Sequence, residues 1–388
     1  MVHFQKEISF LAKHHLLRTL VPIDSGQATT LERDGKIFLH FSSNNYLGLA
    51  GHPTLKSTAI RAIQDWGVGG GASRLVSGNS RLYFELETRI AKFKNTESAL
   101  VFPSGYAANI GSIGALVQKH DLIFADRLCH ASLIDGARLS KATLRVYRHK
   151  DTEQLAKLLR QKKKKEQTLI ITDGVFSMDG DIAPLAEILR LAEEFDALIY
   201  LDDAHAIGVL GPNGRGTCDY FGLSSPRIIQ MGTLSKALGS LGGFIATNRV
   251  FIEYLINKAR PFIYTTALPP ALLATALAGF DLIENDPEIR NRLWRLTSHV
   301  RTQINQMGFN TCGSETPIIP ILIGPTETAL TFSQKLLEEG IYIPAIRPPT
   351  VPDGTSRLRI SLMATHTDEQ IQFLLSSLES IGKKLRLI

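Results

Sequence analysis

Along the middle of the chain, short runs of aliphatic and β-branched residues alternate with segments whose apolar residues recur every three or four positions. SALVF (98–102), DLIFA (121–125), LRVY (144–147), TLIITD (168–173), ALIYLD (197–202), RIIQMG (227–232) and GGFIAT (242–247) are the short runs. Each is near-continuously apolar, which predicts strands covered on both faces by helices. PLAEILRLAEEF (184–195) places Leu185, Ile188, Ala192 and Phe195 on one helical face. With the runs on either side it forms a strand–helix–strand unit, and such a crossover predicts a parallel sheet. Past residue 285 the texture changes: NDPEIRNRLWRLTSHVRTQINQM predicts a long exposed helix, followed by TPIIPILI, a second helix, RLRISL (357–362) and a last helix. The expected fold class is α/β. A large domain (46–285) holds a mostly parallel seven-stranded sheet covered by helices, a smaller α+β domain follows (286–388), and an N-terminal segment (1–45) packs with the small domain.

Composition narrows this picture rather than changing it. The 388 residues are 44% hydrophobic and 21% charged, enough for a substantial core and a second domain. The net charge of +6 is partly local, in the run QKKKKEQ (161–167). Such a run reads as a solvated loop, so nucleic-acid binding is not expected, while a small phosphorylated or carboxylated ligand suits the charge. Cys129, Cys218 and Cys312 show neither CxxC nor zinc-like spacing, which predicts a reducing, cytoplasmic setting and no metal centre. The N-terminal MVHFQKEISFLAKHHLLRTL lacks the apolar core of a signal peptide. The uncharged PFIYTTALPPALLATALAGF (261–280) carries a central proline pair, so it is expected to be a buried helix starting at the prolines and not a membrane span.

The glycine cluster GVGGGAS (67–73) fits G-x-G-x-x-A but follows the helical pattern LKSTAIRAIQDW, so the strand that must precede a dinucleotide fingerprint is missing. The cluster is instead expected to give the backbone room beside a ligand or partner chain. P-loop, HExxH and GxSxG motifs are absent. The polar residues collect elsewhere, at the carboxyl ends of the strands, where open α/β sheets bind ligands. SALVF leads into Ser104, Gly105 and Tyr106 at the start of an Ala-rich helix, whose N-terminus suits a phosphate. DLIFAD leads to His130, TLIITD to Ser177 and Asp179, ALIYL to Asp202, Asp203 and His205, and RIIQMG to Thr233, Ser235 and Lys236. Alone, each is an ordinary structural polar residue, and Lys236 a solvated turn lysine. Five successive strand ends supplying such groups converge on one crevice. A buried carboxylate there needs a cation or several hydrogen bonds.

A lysine for a Schiff base, an aspartate to keep a heterocyclic nitrogen protonated, hydroxyls and a helix N-terminus for a phosphate, and an aromatic ring to stack are what pyridoxal 5'-phosphate requires. In this reading Thr233 and Ser235 bond near the phosphate, and Ala237 and Gly239 leave room for the ring. Lys236 is both anchor and proton carrier.

SSNNYLGL, SGYAAN, CHASLIDG, DGVFSMDGD, DDAHAIGVLGPNGRG, TLSKALGSLGG and FIYTTALPP occur in that order. They resemble the motifs of the α-oxoamine synthases, fold-type I pyridoxal-phosphate acyltransferases that condense an amino acid with an acyl thioester and lose carbon dioxide. The resemblance runs from about residue 15 to the end, and AIRPPTVPDGTSRLRISLMATHT (345–367) resembles the biotin-biosynthesis branch. It implies a cytoplasmic homodimer that joins L-alanine to pimeloyl-CoA or pimeloyl-acyl carrier protein, giving 8-amino-7-oxononanoate. The alternative is a sister synthase using glycine or serine and another acyl-CoA, such as 2-amino-3-ketobutyrate CoA ligase. A non-catalytic scaffolding relative is a further one, against which the intact Lys236, Asp202, His130 and His205 argue. By resemblance, Lys236 carries the cofactor and acts as acid and base, Asp202 pairs with the pyridinium nitrogen, and His130 stacks over the ring, close to the substrate. His205 and Ser177 bond the ring hydroxyl region, and Gly105, Tyr106 and Thr233 hold chiefly the phosphate. Thr265 or Thr266 reaches over from the second subunit. Arg347 takes the amino-acid carboxylate, Asn44 and Thr350 lie near the substrate, and Arg18 meets the distal acyl carboxylate.

Overall fold

The computed structural model describes residues 2–163 and 167–388; residues 164–166 of the lysine run lie outside the described residues. The chain divides into two compact units, one of Leu49–Ser177 with Ile182–Arg290, the other of Met1–Gly48, Met178–Asp181 and Asn291–Ile388. The divisions therefore fall at 48/49 and 290/291 instead of 45/46 and 285/286. Four residues from the middle of the chain belong with the terminal segments, an excursion that a reading by contiguous blocks does not represent.

The larger unit is built on a seven-stranded sheet. Its order is Ser98–Phe102, Gly243–Thr247, Ile228–Thr233, Leu198–Asp202, Thr168–Asp173, Leu122–Asp126, Thr143–Tyr147. All strand pairs are parallel except those made by Gly243–Thr247, which runs antiparallel to both neighbours. Strand alternation sends Ile123, Ala125, Leu169, Ile171, Ile229 and Met231 to one face, where they pack with Ala108, Ile113, Leu133 and Phe262 from helices. Leu122, Phe124, Ile170, Ile199 and Leu201 go to the other and meet Leu155, Leu185, Ile188 and Ala192. Burying each of these larger side chains contributes about 1.5–3 kcal/mol, and the few polar residues inside the runs, Gln230 and Thr172 among them, are themselves buried. The second half of the uncharged segment opens the helix Pro270–Asn285, with Pro269 as cap and Pro270 in the first turn and with Leu273, Ala276, Phe280 and Ile283 buried. No helix among the described residues is long and apolar enough to cross a membrane.

In the second unit, Thr30–Arg33 and Lys36–His40 form an antiparallel hairpin. It turns at Asp34–Gly35, both at positive φ, as a two-residue hairpin turn requires. Lys36–His40 also pairs in parallel with Ile341–Tyr342. A separate sheet has the order Ile318–Gly324, Ser356–Ser361, Ala345–Ile346. The last helix, Asp368–Lys384, starts on a capping box in which Thr367 and Gln370 satisfy each other's backbone N–H groups. The helix Pro287–Gln306 is not exposed all round as its composition predicts: Leu293, Leu296, Val300 and Ile304 are buried on one stripe.

Candidate active site

Four neighbouring strands of the large sheet end on Asp126, Asp173, Asp202 and Thr233. The runs deliver these side chains to one edge of the sheet, where Asp173 pairs with Asp202 in the ladder. Asp126 organises the following loops, accepting from the Leu128 and Lys150 N–H groups and bonding His149 Nδ1 at 3.0 Å. Asp173 Oδ2 accepts the backbone N–H of His130 at 2.8 Å. Burial, and then the charge of Asp202, push its carboxyl well above the usual range.

The consecutive aspartates diverge. Asp202 is 4% exposed; its Oδ1 accepts from the Ala204 N–H at 2.9 Å and its Oδ2 from Asn109 Nδ2 at 2.7 Å. Asp203 has no exposed surface. It takes Lys94 Nζ at 2.8 Å and Thr217 Oγ1 at 2.6 Å, and Gly174 and Gly216 border it so closely that a Cβ would lie 2.4 and 2.3 Å from its oxygens. Thus Asp203 satisfies the requirement for a cation, and Asp202 is met by hydrogen bonds.

His130 caps the helix Ala131–Ser140 and accepts from the Ser132 N–H. Its Nδ1 lies 2.7 Å from Ser132 Oγ, and Ser132 Oγ accepts from Asn109 Nδ2 at 2.8 Å. Tyr200 donates to Asn109 Oδ1 at 3.0 Å. Desolvation lowers the His130 pKa and the cation of Lys236 adds to this, while Asp202 and Asp135 oppose it. The structure therefore brings His130, Asp202 and Lys236 within electrostatic reach of one another. His205 is buried in the turn after Asp202, and Ser177 is half-buried in the segment after Asp173. That segment bonds back through the Gly174 N–H to the Asp202 carbonyl at 2.8 Å.

Lys236 stands half-buried in the turn that follows Thr233. Thr233 Oγ1 lies 2.7 Å from Ser235 Oγ and donates to the Gly242 carbonyl at 2.8 Å, so this hydroxyl also closes the turn that carries the lysine. Gly239 has a reason other than room for a ring: its φ is +67° and a Cβ would lie 2.5 Å from the Ala50 nitrogen. Gly105 opens the helix Gly105–Leu116 behind Ser104, whose hydroxyl accepts from the Ala107 N–H. The Tyr106 phenol bonds Asp135, which raises its pKa. Thr265 is half-buried and Thr266 exposed, and Thr266 bridges Ser73 of its own chain. The glycine cluster meets its own chain there, since a Cβ on Gly70 would lie 2.4 Å from the Ala267 carbonyl oxygen.

The second unit holds the remaining candidates in two groups. Arg18 Nη2 donates to the Pro348 carbonyl and to Thr350 Oγ1, both at 3.3 Å, and Arg347 Nη2 donates to the Leu17 carbonyl at 2.7 Å. Desolvation, then the neighbouring Arg18, lowers the Arg347 pKa. Asn44 belongs to the other group: its Oδ1 accepts from Arg359 Nη2 at 3.2 Å and from Tyr46 at 3.3 Å. Arg359 went unremarked in the sequence, although RLRISL shows the signal, cations at alternate positions of an otherwise apolar strand. Its neighbour in that alternation, Arg357, pairs with Asp179 at 2.6 Å. Asp179 is therefore an ion-pair partner within the second unit and not a member of the sheet-edge cluster.

A sheet of this order with a lysine, an aspartate and two histidines on its carboxyl edge is that of a fold-type I pyridoxal-phosphate enzyme. The chain belongs to the aminotransferase class I and II family, whose model matches residues 36–378. More particularly, it is 49% identical over its whole length to a protein of Citrifermentans bemidjiense named 8-amino-7-oxononanoate synthase, all of which is covered. It is 48% identical to the protein of that name from Lysinibacillus sphaericus, over 99% of both chains. Among solved structures, serine palmitoyltransferase from S. paucimobilis with a bound PLP–myriocin adduct superposes with a TM-score of 0.95 at 31% identity, covering 100% of this chain and 98% of that one. The 8-amino-7-oxononanoate synthase of Francisella tularensis gives 0.79 at 33% identity, over 89% and 98%.

Proposed function

We propose that this chain binds pyridoxal 5'-phosphate at the carboxyl edge of its seven-stranded sheet and condenses L-alanine with pimeloyl-CoA or pimeloyl-acyl carrier protein, releasing carbon dioxide, the free thiol carrier and 8-amino-7-oxononanoate. The observation that carries the reading is Asp202, a buried strand-end carboxylate steadied by Ala204 and Asn109 in a chain that aligns end to end with relatives named for that reaction. The donor set fits the cofactor: a carboxylate for a protonated ring nitrogen, an amine for an aldehyde, an imidazole for the ring face, and a helix N-terminus with hydroxyls for a phosphate. Bound there, the cofactor supplies a heterocycle that stabilises negative charge on the amino-acid Cα.

The chain's own groups do the rest. Lys236 Nζ would hold the cofactor's aldehyde and would carry the proton that leaves and returns at the substrate Cα. Asp202 accepts from the ring nitrogen and keeps it protonated. His205 and Ser177 bond the ring hydroxyl region, and Gly105, Tyr106 and Thr233 hold the phosphate. Arg347 offers a fork matched to the α-carboxylate, Asn44 and Thr350 contact the substrate, and Arg18 meets the distal carboxylate of the acyl chain. Thr265 or Thr266 acts across a homodimer. In keeping with a second copy, Trp66, Val68, Leu75, Val76, Phe84 and Tyr264 are exposed apolar side chains that a subunit interface would cover.

The test is a visible spectrum of the purified protein with pyridoxal phosphate, followed by carbon dioxide release with alanine, glycine or serine and the corresponding acyl thioesters. A yellow protein that turns over alanine with a pimeloyl thioester is expected, with the covalent chromophore lost in Lys236→Ala. The serine palmitoyltransferase likeness supplies the second reading, and preference for serine with a long-chain acyl-CoA, or for glycine, overturns the first.

A further inference from the structure

Asn109 and Ser132 are almost sealed from solvent, at 1% and 0% exposure, and neither has a part in the reaction as proposed. Their hydrogen bonds nevertheless join two groups that do. Proton accounting gives the chain a direction. A carboxylate only accepts, so the atom of Asn109 that meets Asp202 Oδ2 at 2.7 Å is its NH₂ group. The amide oxygen is then the atom that takes the Tyr200 hydroxyl proton at 3.0 Å. The second NH₂ proton goes to Ser132 Oγ at 2.8 Å. Having accepted there, Ser132 has one proton of its own to give, and its neighbour at 2.7 Å is His130 Nδ1. The same Nδ1 receives the Ser132 backbone N–H at 3.3 Å. A ring nitrogen that accepts from two donors carries no proton, so the neutral imidazole bears its proton on Nε2.

We propose that Asn109 and Ser132 are positioning residues that lock His130 in the Nε2–H form and tie it to the Asp202 carboxylate, so that the imidazole offers its partner a donor at Nε2 and nothing at Nδ1. The lowered His130 pKa, set by desolvation against the opposing charges of Asp202 and Asp135 and with that of Lys236, is consistent with a neutral ring. The backbone side of the same residue is fixed independently, by Asp173. Which nitrogen carries the proton is set by the bond the other one makes, so this relay decides what chemistry the histidine can offer. The catalytic consequence rests on the function proposed above; the tautomer does not.

Nitrogen-15 spectra of histidine-labelled, cofactor-free protein test the tautomer directly, with His130 assigned by its loss in His130→Gln. A pyridine-type Nδ1 and a pyrrole-type Nε2 are expected. A protonated Nδ1 in the wild type overturns the proposal without need of any variant. In Ser132→Ala and Asn109→Ala both resonances should move toward a tautomer mixture, because the backbone N–H that remains at 3.3 Å is a weaker donor to Nδ1 than the hydroxyl at 2.7 Å, and Ser132→Thr should restore the wild-type pattern; unchanged resonances in both alanine variants also refute it. In holoenzyme, Ser132→Ala should lower kcat by roughly 10²-fold, as for loss of a correctly placed acid or base, with the KM for alanine within about twofold and recovery in Ser132→Thr. If the protein binds no pyridoxal phosphate, the proposed function fails while the tautomer result stands.

Discussion

Replacing Lys94 by methionine removes the buried cation beside Asp203 while keeping most of the apolar stem. The pair is 2.8 Å apart with neither side chain exposed, and the ammonium also donates to the Arg215 carbonyl. After the substitution Asp203 keeps the Thr217 hydroxyl and N–H but faces them as an uncompensated charge. Removing one partner of such a pair costs about 3–5 kcal/mol, a large share of the roughly 5–15 kcal/mol that holds a folded protein together. The stranded charge is most of this cost, so Lys94→Met with Asp203→Asn, which still accepts from Thr217, should be more stable than Lys94→Met alone by about 1–3 kcal/mol. Urea unfolding of the cofactor-free protein, read as a midpoint shift at constant slope, gives both numbers. A loss below about 1 kcal/mol, as for an exposed pair, or a double variant that adds the two single losses, refutes the reasoning.

His366 predicts acid sensitivity. Its Nδ1 accepts from the Met363 N–H, its Nε2 faces the His40 carbonyl, and the ring stacks on Phe41. Burial brings its pKa down to about 4 from 6.5. The unfolded chain therefore takes up the proton first: the stabilisation is full above pH 6.5 and is lost as the pH falls toward 4, roughly 3 kcal/mol in all. His366→Gln should flatten the unfolding free energy over that window, and an unchanged slope contradicts the assignment. Gly239→Ala should destabilise by about 1–3 kcal/mol in thermal melts, since the left-handed φ and the Ala50 contact both oppose a side chain; a variant as stable as the wild type removes the structural explanation for this glycine. Arg347→Lys should raise the KM for alanine by about tenfold with a smaller change in kcat, and an unaltered KM in steady-state assays moves the carboxylate to another cation, of which Arg359 is the buried candidate.

The strands were legible because a run such as TLIITD admits few other structures, and the strand-end groups because each follows such a run directly. The antiparallel direction of Gly243–Thr247 was not legible: nothing in GGFIAT encodes orientation. Asn109 and Ser132 look like ordinary polar positions of helices in SGYAAN and CHASL, since their importance lies in which helices pack together. Lys94 reads as a surface lysine in AKFKNTES; only the fold, bringing residues 94 and 203 together, makes it a buried counter-ion. In NDPEIRNRLWRLTSHVRTQINQM the charges mask a narrow apolar stripe, so the helix read as exposed.

The pairing of Lys36–His40 with Ile341–Tyr342 has a consequence for synthesis. The N-terminal hairpin leaves the ribosome early, but the strand that completes its sheet emerges about 300 residues later, and at about 5–20 residues per second that is a delay of roughly 15–60 s. Throughout it the hairpin has an unpaired edge, a template for the wrong strand. Leu39 and His40, the positions that Ile341 and Tyr342 later pair with, lie on that waiting edge, so slow translation, or any pause in the middle of the message, should increase dependence on chaperones without altering the finished protein.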